Sequence, residues 1–273
     1  MNLTRHIRGL FQPIQPTIQQ TKENVNYIEF LPTTKLQPYI YCYWQLKTTE
    51  KLNDTFSYKV VSDGCIDILF EINNPKDNFV AGFCKKYTEY VLQPEFNYIG
   101  VRFLPTIFPQ IFKVNASELS NKFQNLEDFV PQTSKFIASH FHPKLNIEEI
   151  KLKFDIYFTN ILNHTVFDYD NRLYNAIDTI LKNYGVLNIE KDVDVGISNR
   201  QLRRLFQFYI GDSPKTFSKV VQFQNILKAK PSNQSLKQNK LFYDIGYYDQ
   251  SHFIKDFKNF YGVTPNKAFK RTQ

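Results

Sequence analysis

Residues 198–214 read SNRQLRRLFQFYIGDSP, and residues 249–265 read DQSHFIKDFKNFYGVTP. Leu202, Phe206, Gly211 and Pro214 in the first stretch return in the second as Phe253, Phe257, Gly262 and Pro265, every pair offset by 51 residues. Arg204 with Lys255, Ser213 with Thr264 and Lys219 with Lys270 keep the same offset. A glycine precedes each copy, at Gly196 and Gly246. Two copies are too few to stack as a solenoid and point instead to two similar modules.

Each copy reads as a capped helix followed by a turn and a second helix. Ser198 is placed to accept hydrogen bonds from the free N–H groups of a starting helix, and Asp249 does the same in the second copy. Leu202, Leu205, Phe206 and Tyr209 then recur at a spacing of three to four residues, an apolar stripe one helix face wide. Asn199, Arg200, Arg203, Arg204 and Gln207 lie opposite. In the second copy Phe253, Phe257 and Phe260 form the stripe, with Gln250, Ser251, His252, Lys255 and Lys258 facing outward. Gly211 suits the left-handed residue that ends a helix, and Ser213-Pro214 caps and starts the next one. From Pro214 to about Lys228, Phe217, Val220, Val221, Phe223, Ile226 and Leu227 keep helical spacing, and Pro231 ends the segment.

A single helix of this kind is equally well explained as a solvated surface helix. Two in phase make a nucleic-acid reader the better reading, because Arg bidentate to guanine and Gln bidentate to adenine are the common major-groove contacts. Charge agrees. The chain carries 34 Lys and Arg against 26 Asp and Glu; residues 171–273 hold 17 basic and 8 acidic groups, so the whole excess lies in the part that bears the repeat. Phosphate neutralisation supplies most sequence-independent affinity for DNA.

With these motifs in hand, residues from about 186 to 271 resemble the DNA-binding domain of AraC/XylS-type bacterial transcriptional regulators. The stretches 198–206 and 211–214 match the first reading helix and its exit. Gly246-Tyr247-Tyr248-Asp249-Gln250-Ser251-His252-Phe253, with Phe257, Gly262 and Thr264-Pro265, matches the second. The resemblance implies two helix-turn-helix units joined by one long helix and entering successive major grooves. It makes Arg200, Arg203 and Arg204 the contacts of the first unit, and Gln250, Ser251, Lys255 and His252 those of the second. The family has a small residue four positions before each glycine; here Asp192 and Phe242 stand there. A carboxylate cannot sit in a tight helix crossing without repacking. The first unit is therefore expected to bind more weakly, or mostly to backbone.

The N-terminal part follows a different period. Tyr39–Leu46, Ser57–Val61, Ile66–Ile72, Asn78–Phe83, Tyr87–Leu92 and Tyr98–Phe103 are rich in Tyr, Phe, Val and Ile and are broken by turn residues such as Asp63-Gly64 and Asn73-Asn74-Pro75. They predict a mostly antiparallel sheet, as a small barrel or sandwich. Helical spacing is expected over Ser117–Phe123, Ile147–Leu162 and Asn171–Tyr184. The pattern from Tyr43-Trp44 through Ser62–Phe70 and Gly100–Phe103 to Ala116–Leu119 resembles the uncharacterised N-terminal domain of a subgroup of AraC-type regulators, a likeness that assigns no ligand. A sensing pocket there would lie inside the sheet, lined by aromatics, with Asp63, Asp67 and Arg102 as its polar groups. Arg102 would hold an anionic group or an internal carboxylate such as Asp67. Aromatic residues are 16% of the chain, and an ordinary core would use them equally well.

Catalytic chemistry is poorly supported. Cys42, Cys65 and Cys84 have no CxxC spacing, which points to reduced thiols rather than a zinc site or a disulfide framework. His140, His142 and His164 lack a third ligand at a recognisable spacing, so no metal or cofactor is expected. The first residues carry Arg5, His6 and Arg8 without a long apolar run, so neither a signal peptide nor a membrane span is read there. The expected architecture is α+β: residues 1–165 a β-rich regulatory, ligand-sensing or dimerisation domain with trailing helices, residues 166–273 an all-α reader. It would be a cytoplasmic, non-enzymatic regulator of transcription. Its partner would be double-stranded promoter or operator DNA. A small-molecule effector, RNA polymerase and a second copy of the chain are further candidates. The competing reading is an enzymatic or DNA-repair N-terminal domain carried to DNA by the reader.

Overall fold

A computed structural model describes residues 3–16, 24–229 and 249–269. After helix α1 (Leu3–Leu10), the strands are β1 (Val25–Phe30), β2 (Ile40–Thr48), β3 (Phe56–Val60), β4 (Ile66–Glu71), β5 (Asn78–Ala81), β6 (Thr88–Leu92) and β7 (Asn97–Phe103). Two short helices, α2 (Ile107–Phe112) and α3 (Ala116–Leu119), precede β8 (Phe123–Asn125). All pairings are antiparallel: one sheet in the order β1-β2-β7-β4-β5-β8, and a second made of β3 and β6. Of barrel and sandwich, the arrangement is the second. The six strand segments expected from alternation all form. β1 and β8, each at an edge of the sheet, were not anticipated. The helix expected over Ser117–Phe123 is instead the single turn α3; Asn121 enters the left-handed region at φ 57° and the chain leaves as β8.

The two faces of the large sheet do different jobs, as strict alternation along β4 and β7 requires. Ile66, Ile68 and Phe70 with Ile99, Val101 and Phe103 point one way, into helices α4 (Pro131–His140) and α5 (Ile147–His164). Phe70 packs on Phe141 and Phe154, Phe103 on Phe158, and the Tyr43 hydroxyl donates to Asp155 Oδ1 at 3.0 Å. The other face carries Cys42, Trp44 and Leu46 and is covered by Tyr58 of the small sheet. The expected helix over Ile147–Leu162 forms and opens with a capping box between Asn146 and Glu149.

The C-terminal part contains α6 (Asn171–Lys182), α7 (Ile189–Asp192), α8 (Asn199–Tyr209), α9 (Pro214–Ala229), α10 (Gln250–Tyr261) and α11 (Pro265–Ala268). The sequence features at Pro231, Phe242, Gly246, Tyr247, Tyr248 and Lys270 lie outside the described residues. α9 is buried on almost every side, its polar Ser218, Gln222 and Gln224 included. The reason is that it packs on both repeats and on the N-terminal part at once. Phe217 meets both Phe206 and Phe11, and Gln224 Nε2 donates to Ser62 O at 2.7 Å while its Oε1 accepts from Ile14 N at 2.7 Å.

The segment Phe83–Tyr87, between β5 and β6, reaches both repeats at their equivalent glycines. A Cβ at Gly211 would lie 3.1 Å from Phe83 Cβ and 2.5 Å from Ser120 Oγ, and one at Gly262 would lie 2.9 Å from the Tyr87 ring. Both glycines have positive φ, 111° and 91°. Asn259 of α10 completes the contact, accepting from Tyr87 N at 3.0 Å and donating to Lys85 O at 3.2 Å.

Candidate nucleic-acid interface

The first reading helix, α8, is built as its sequence dictates. Ser198 Oγ accepts from Gln201 N at 3.3 Å, and Gln201 Oε1 accepts from Ser198 N at 3.0 Å, a reciprocal cap. Leu202 and Phe206 are buried, with Phe206 ring against ring on Phe217 of α9. The expected stripe needs one correction: Leu205 and Tyr209 are only half-buried, and Ile210, one residue beyond α8, completes the buried face. Asn199, Arg200, Arg203, Arg204 and Gln207 are all exposed. Ser198 is exposed too, with its hydroxyl engaged in the cap.

The helix before α8 departs from expectation. α7 is a single turn with no buried residue, so no tight crossing exists for Asp192 to obstruct. Asp192 is exposed and its Oδ2 accepts from Asn188 N at 2.7 Å, closing that turn on itself. Val193 alone of Ile189, Val193, Val195 and Ile197 is fully buried. The Asp192 carboxylate thus satisfies the free N–H at the start of its own turn.

The second reading helix, α10, is capped by Asp249, whose Oδ1 accepts from His252 N at 2.7 Å. Phe253, Phe257, Phe260 and Tyr261 are buried, and Phe223 of α9 meets both Phe257 and Phe260. Gln250, Ser251, His252, Lys255 and Lys258 are exposed. Sequence reasoning missed Asp256, whose Oδ2 lies 3.0 Å from Lys219 Nζ and 3.5 Å from His252 Nε2. It ties α10 to α9 and holds His252 beside a carboxylate. Asn199, Arg203 and Gln207 of α8 and His252 of α10 line one groove of about 840 Å³, with Lys215 and Lys219 between them. Lys215 is a further exposed cation at the start of α9, hidden in the sequence because it lies just past the second capping signal.

Asp63, Asp67 and Arg102 come together on the covered face of the large sheet. Arg102 donates through Nε and Nη2 to the two oxygens of Asp67, at 3.1 and 2.9 Å, and lies 3.4 Å from Asp63 Oδ2. Trp44 Nε1 also donates to Asp67, at 3.0 Å, while Asp63 accepts from Gln15 Nε2 and Cys65 N. Arg102 therefore holds the internal carboxylate that the sequence named. Burial, the largest cause, together with Asp63 pushes the Asp67 carboxyl up to about 6 although Arg102 opposes it. Among the described residues no group of three or more His, Cys, Asp or Glu could hold a metal, and no helix is long and apolar enough to cross a membrane.

Comparison with known proteins matches two separate parts of the chain. Residues 28–125 match a domain of unknown function (DUF6597), and residues 194–271 match a helix-turn-helix domain. An uncharacterised helix-turn-helix-type transcriptional regulator of Haemophilus influenzae is 34% identical over 104 residues, which span 37% of this chain and 34% of that protein. ToxT from Vibrio cholerae is similar at 16% identity, over 91% of this chain and 98% of that one, with a TM-score of 0.39. Unsaturated fatty acid-bound wild-type ToxT gives 11% identity, 92% and 98% coverage and a TM-score of 0.38. The chain thus joins a domain of unknown function over residues 28–125 to a helix-turn-helix domain of the AraC type over residues 194–271.

Proposed function

We propose that this chain is a sequence-specific DNA-binding regulator of transcription, without a catalytic step of its own, that reads two successive major-groove segments of one site. One observation carries the reading: α8 and α10 are capped alike, are rooted by their phenylalanines on the same helix α9, and expose Arg, Lys, Gln and Ser on their free faces. At 1.5 Å per residue α9 is about 24 Å long, so with the flanking helices it spaces two readers on the scale of one DNA turn, roughly 34 Å. Arg200, Arg203 and Arg204 serve as base or phosphate contacts of the first unit, with Asn199 and Gln207 beside them. Gln250, Ser251, Lys255 and Lys258 serve the second. Ser198 acts mainly by fixing the start of α8, and His252 is the least free of the set because Asp256 holds it. Residues 166–273 form the reader and residues 1–165 the regulatory part, in the cytoplasm of a bacterial cell where promoter DNA lies.

Selection of bound sequences from a random DNA pool tests this, using the full chain, Arg204→Ala and Lys255→Ala. The expected result is one site with two short boxes about one turn apart, each box relaxed by its own variant. Equal retention of all sequences would leave a non-specific binder and overturn the proposal.

A further inference from the structure

The two reading helices share one root, α9: Phe206 of α8 meets Phe217, and Phe257 and Phe260 of α10 meet Phe223. Two bodies joined along a single helix can still rock about it. A second attachment away from that helix removes the freedom, and the structure has one. The segment 83–87, which the N-terminal part carries between β5 and β6, touches the C-terminal ends of both α8 and α10.

The two contacts fall on equivalent residues of the repeat. At the first, Phe83 is buried against Gly211, Ser120 Oγ donates to Gly211 O, and Lys85 Nζ lies 3.9 Å from Asp212 Oδ2. At the second, the Tyr87 ring covers Gly262, Tyr87 N donates to Asn259 O at 3.0 Å, and Asn259 Nδ2 donates to Lys85 O at 3.2 Å. The segment is held stiff from behind. Asn121 N donates to Phe83 O at 2.8 Å, Asn121 Oδ1 accepts from Lys85 N at 3.1 Å, and Gly82 N donates to Lys122 O at 3.2 Å. A Cβ at Gly82 would fall 2.1 Å from Leu119 O, so the end of β5 has no room to shift. These contacts leave the N-terminal turns of the readers free, where Asn199, Arg200, Gln250 and Ser251 stay exposed.

We propose that residues 83–87 are a brace across the ends of both readers, and that Ser120, Tyr87 and Asn259 are positioning residues that set which spacing of DNA boxes the chain accepts. The consequence for DNA rests on the reading proposed above; the brace itself does not. Adding or removing one base pair between the boxes moves one box by about 3.4 Å and turns it by about 34°. Braced readers cannot follow that change, whereas readers joined through α9 alone can rock toward it.

Binding of the full chain is measured on its selected two-box site and on versions one base pair shorter and longer, for the wild type, Ser120→Ala and Tyr87→Ala. Neither variant removes a proposed DNA contact. The wild type should lose at least about tenfold in affinity on either altered site, and each variant no more than about threefold. Spin labels at Gln207→Cys and Lys258→Cys then give the distance between the readers without DNA. They are placed in a Cys84→Ser background, since Cys42 and Cys65 are buried. The distance distribution should be narrow with the brace intact and broaden when Tyr87→Ala is added. An unchanged spacing penalty in both variants overturns the proposal, as does an unchanged distribution. Tighter binding of the variants at the selected spacing would make the segment an inhibitory lock and overturns it too. A wild type that selects no two-box site defeats the DNA reading and the spacing rule with it, while the distance distribution still decides whether the brace holds.

Discussion

At the residue scale, the covered face of the sheet holds its aromatic and charged groups in place by close fit. Gly100 lies opposite Trp44 in the β2–β7 register, and a Cβ there would stand 2.1 Å from the Trp44 ring. Gly100→Ala should therefore destabilise the fold by about 1–3 kcal/mol and shift the emission of Trp44, checked by thermal melting followed through fluorescence. Asp67 carries a second prediction. Its folded pKa, raised to about 6, exceeds the ordinary value of 3.8, so the folded state holds the proton more tightly than the unfolded chain does. This group's contribution to stability is full below about pH 4 and is lost as pH rises through about 6. Melting temperatures across that window should fall for the wild type relative to Asp67→Asn; parallel profiles would mean that Arg102 keeps Asp67 ionised throughout.

At the element scale, α9 is where the parts meet. Both α8 and α10 pack on it, and the N-terminal part grips it through Ser62 and Ile14. The loop Val61–Cys65 sits at the crossing: Val61, Asp63 and Cys65 line the cavity between the two sheets, while Ser62 O receives Gln224 and Gly64 lies against Phe217. Gln15 spans the same place, donating to Val61 O and Asp63 and accepting from Val61 N. Gln224→Ala strips partners from Ser62 O and Ile14 N and should cost about 1–3 kcal/mol. Hydrogen exchange should then rise at residues 11–15 and 61–65 together, whereas an increase confined to α9 would show that these segments are held by other contacts.

At the scale of the whole molecule, one core runs from the sheet through α5 and α6 into the readers, so the two sequence-distinct halves pack as one structure. Charge is divided even though packing is shared. Six of the 17 basic residues in 171–273 lie on the exposed faces of α8 and α10 and at Lys215. Each phosphate neutralised releases counterions, so the logarithm of affinity falls linearly with the logarithm of salt concentration. If Arg204 and Lys255 both meet phosphate, each alanine variant should reduce the steepness of that line by about one, and the double variant by about two. A variant that relaxes sequence preference at unchanged slope would instead mark its residue as a base contact.

The sequence by itself determined the repeat, its caps and turns, the polar faces of both readers and six of the strands. Those signals are local: a cap needs its own four residues, and a strand or helix face needs only its period. It also named Asp63, Asp67 and Arg102 together, but the pairing of β4 with β7 is what sets Asp67 opposite Arg102. Tertiary structure alone decided what no period encodes. β1 and β8 form because paired neighbours supply their hydrogen bonds, and α7 is a single turn that buries none of its residues. The burial of α9 comes from partners some 160 to 210 residues away in the chain, Ser62 and Ile14. The same holds for the Phe83–Tyr87 contact with both repeats, since a glycine required by a neighbouring side chain looks in sequence like one required by its own turn.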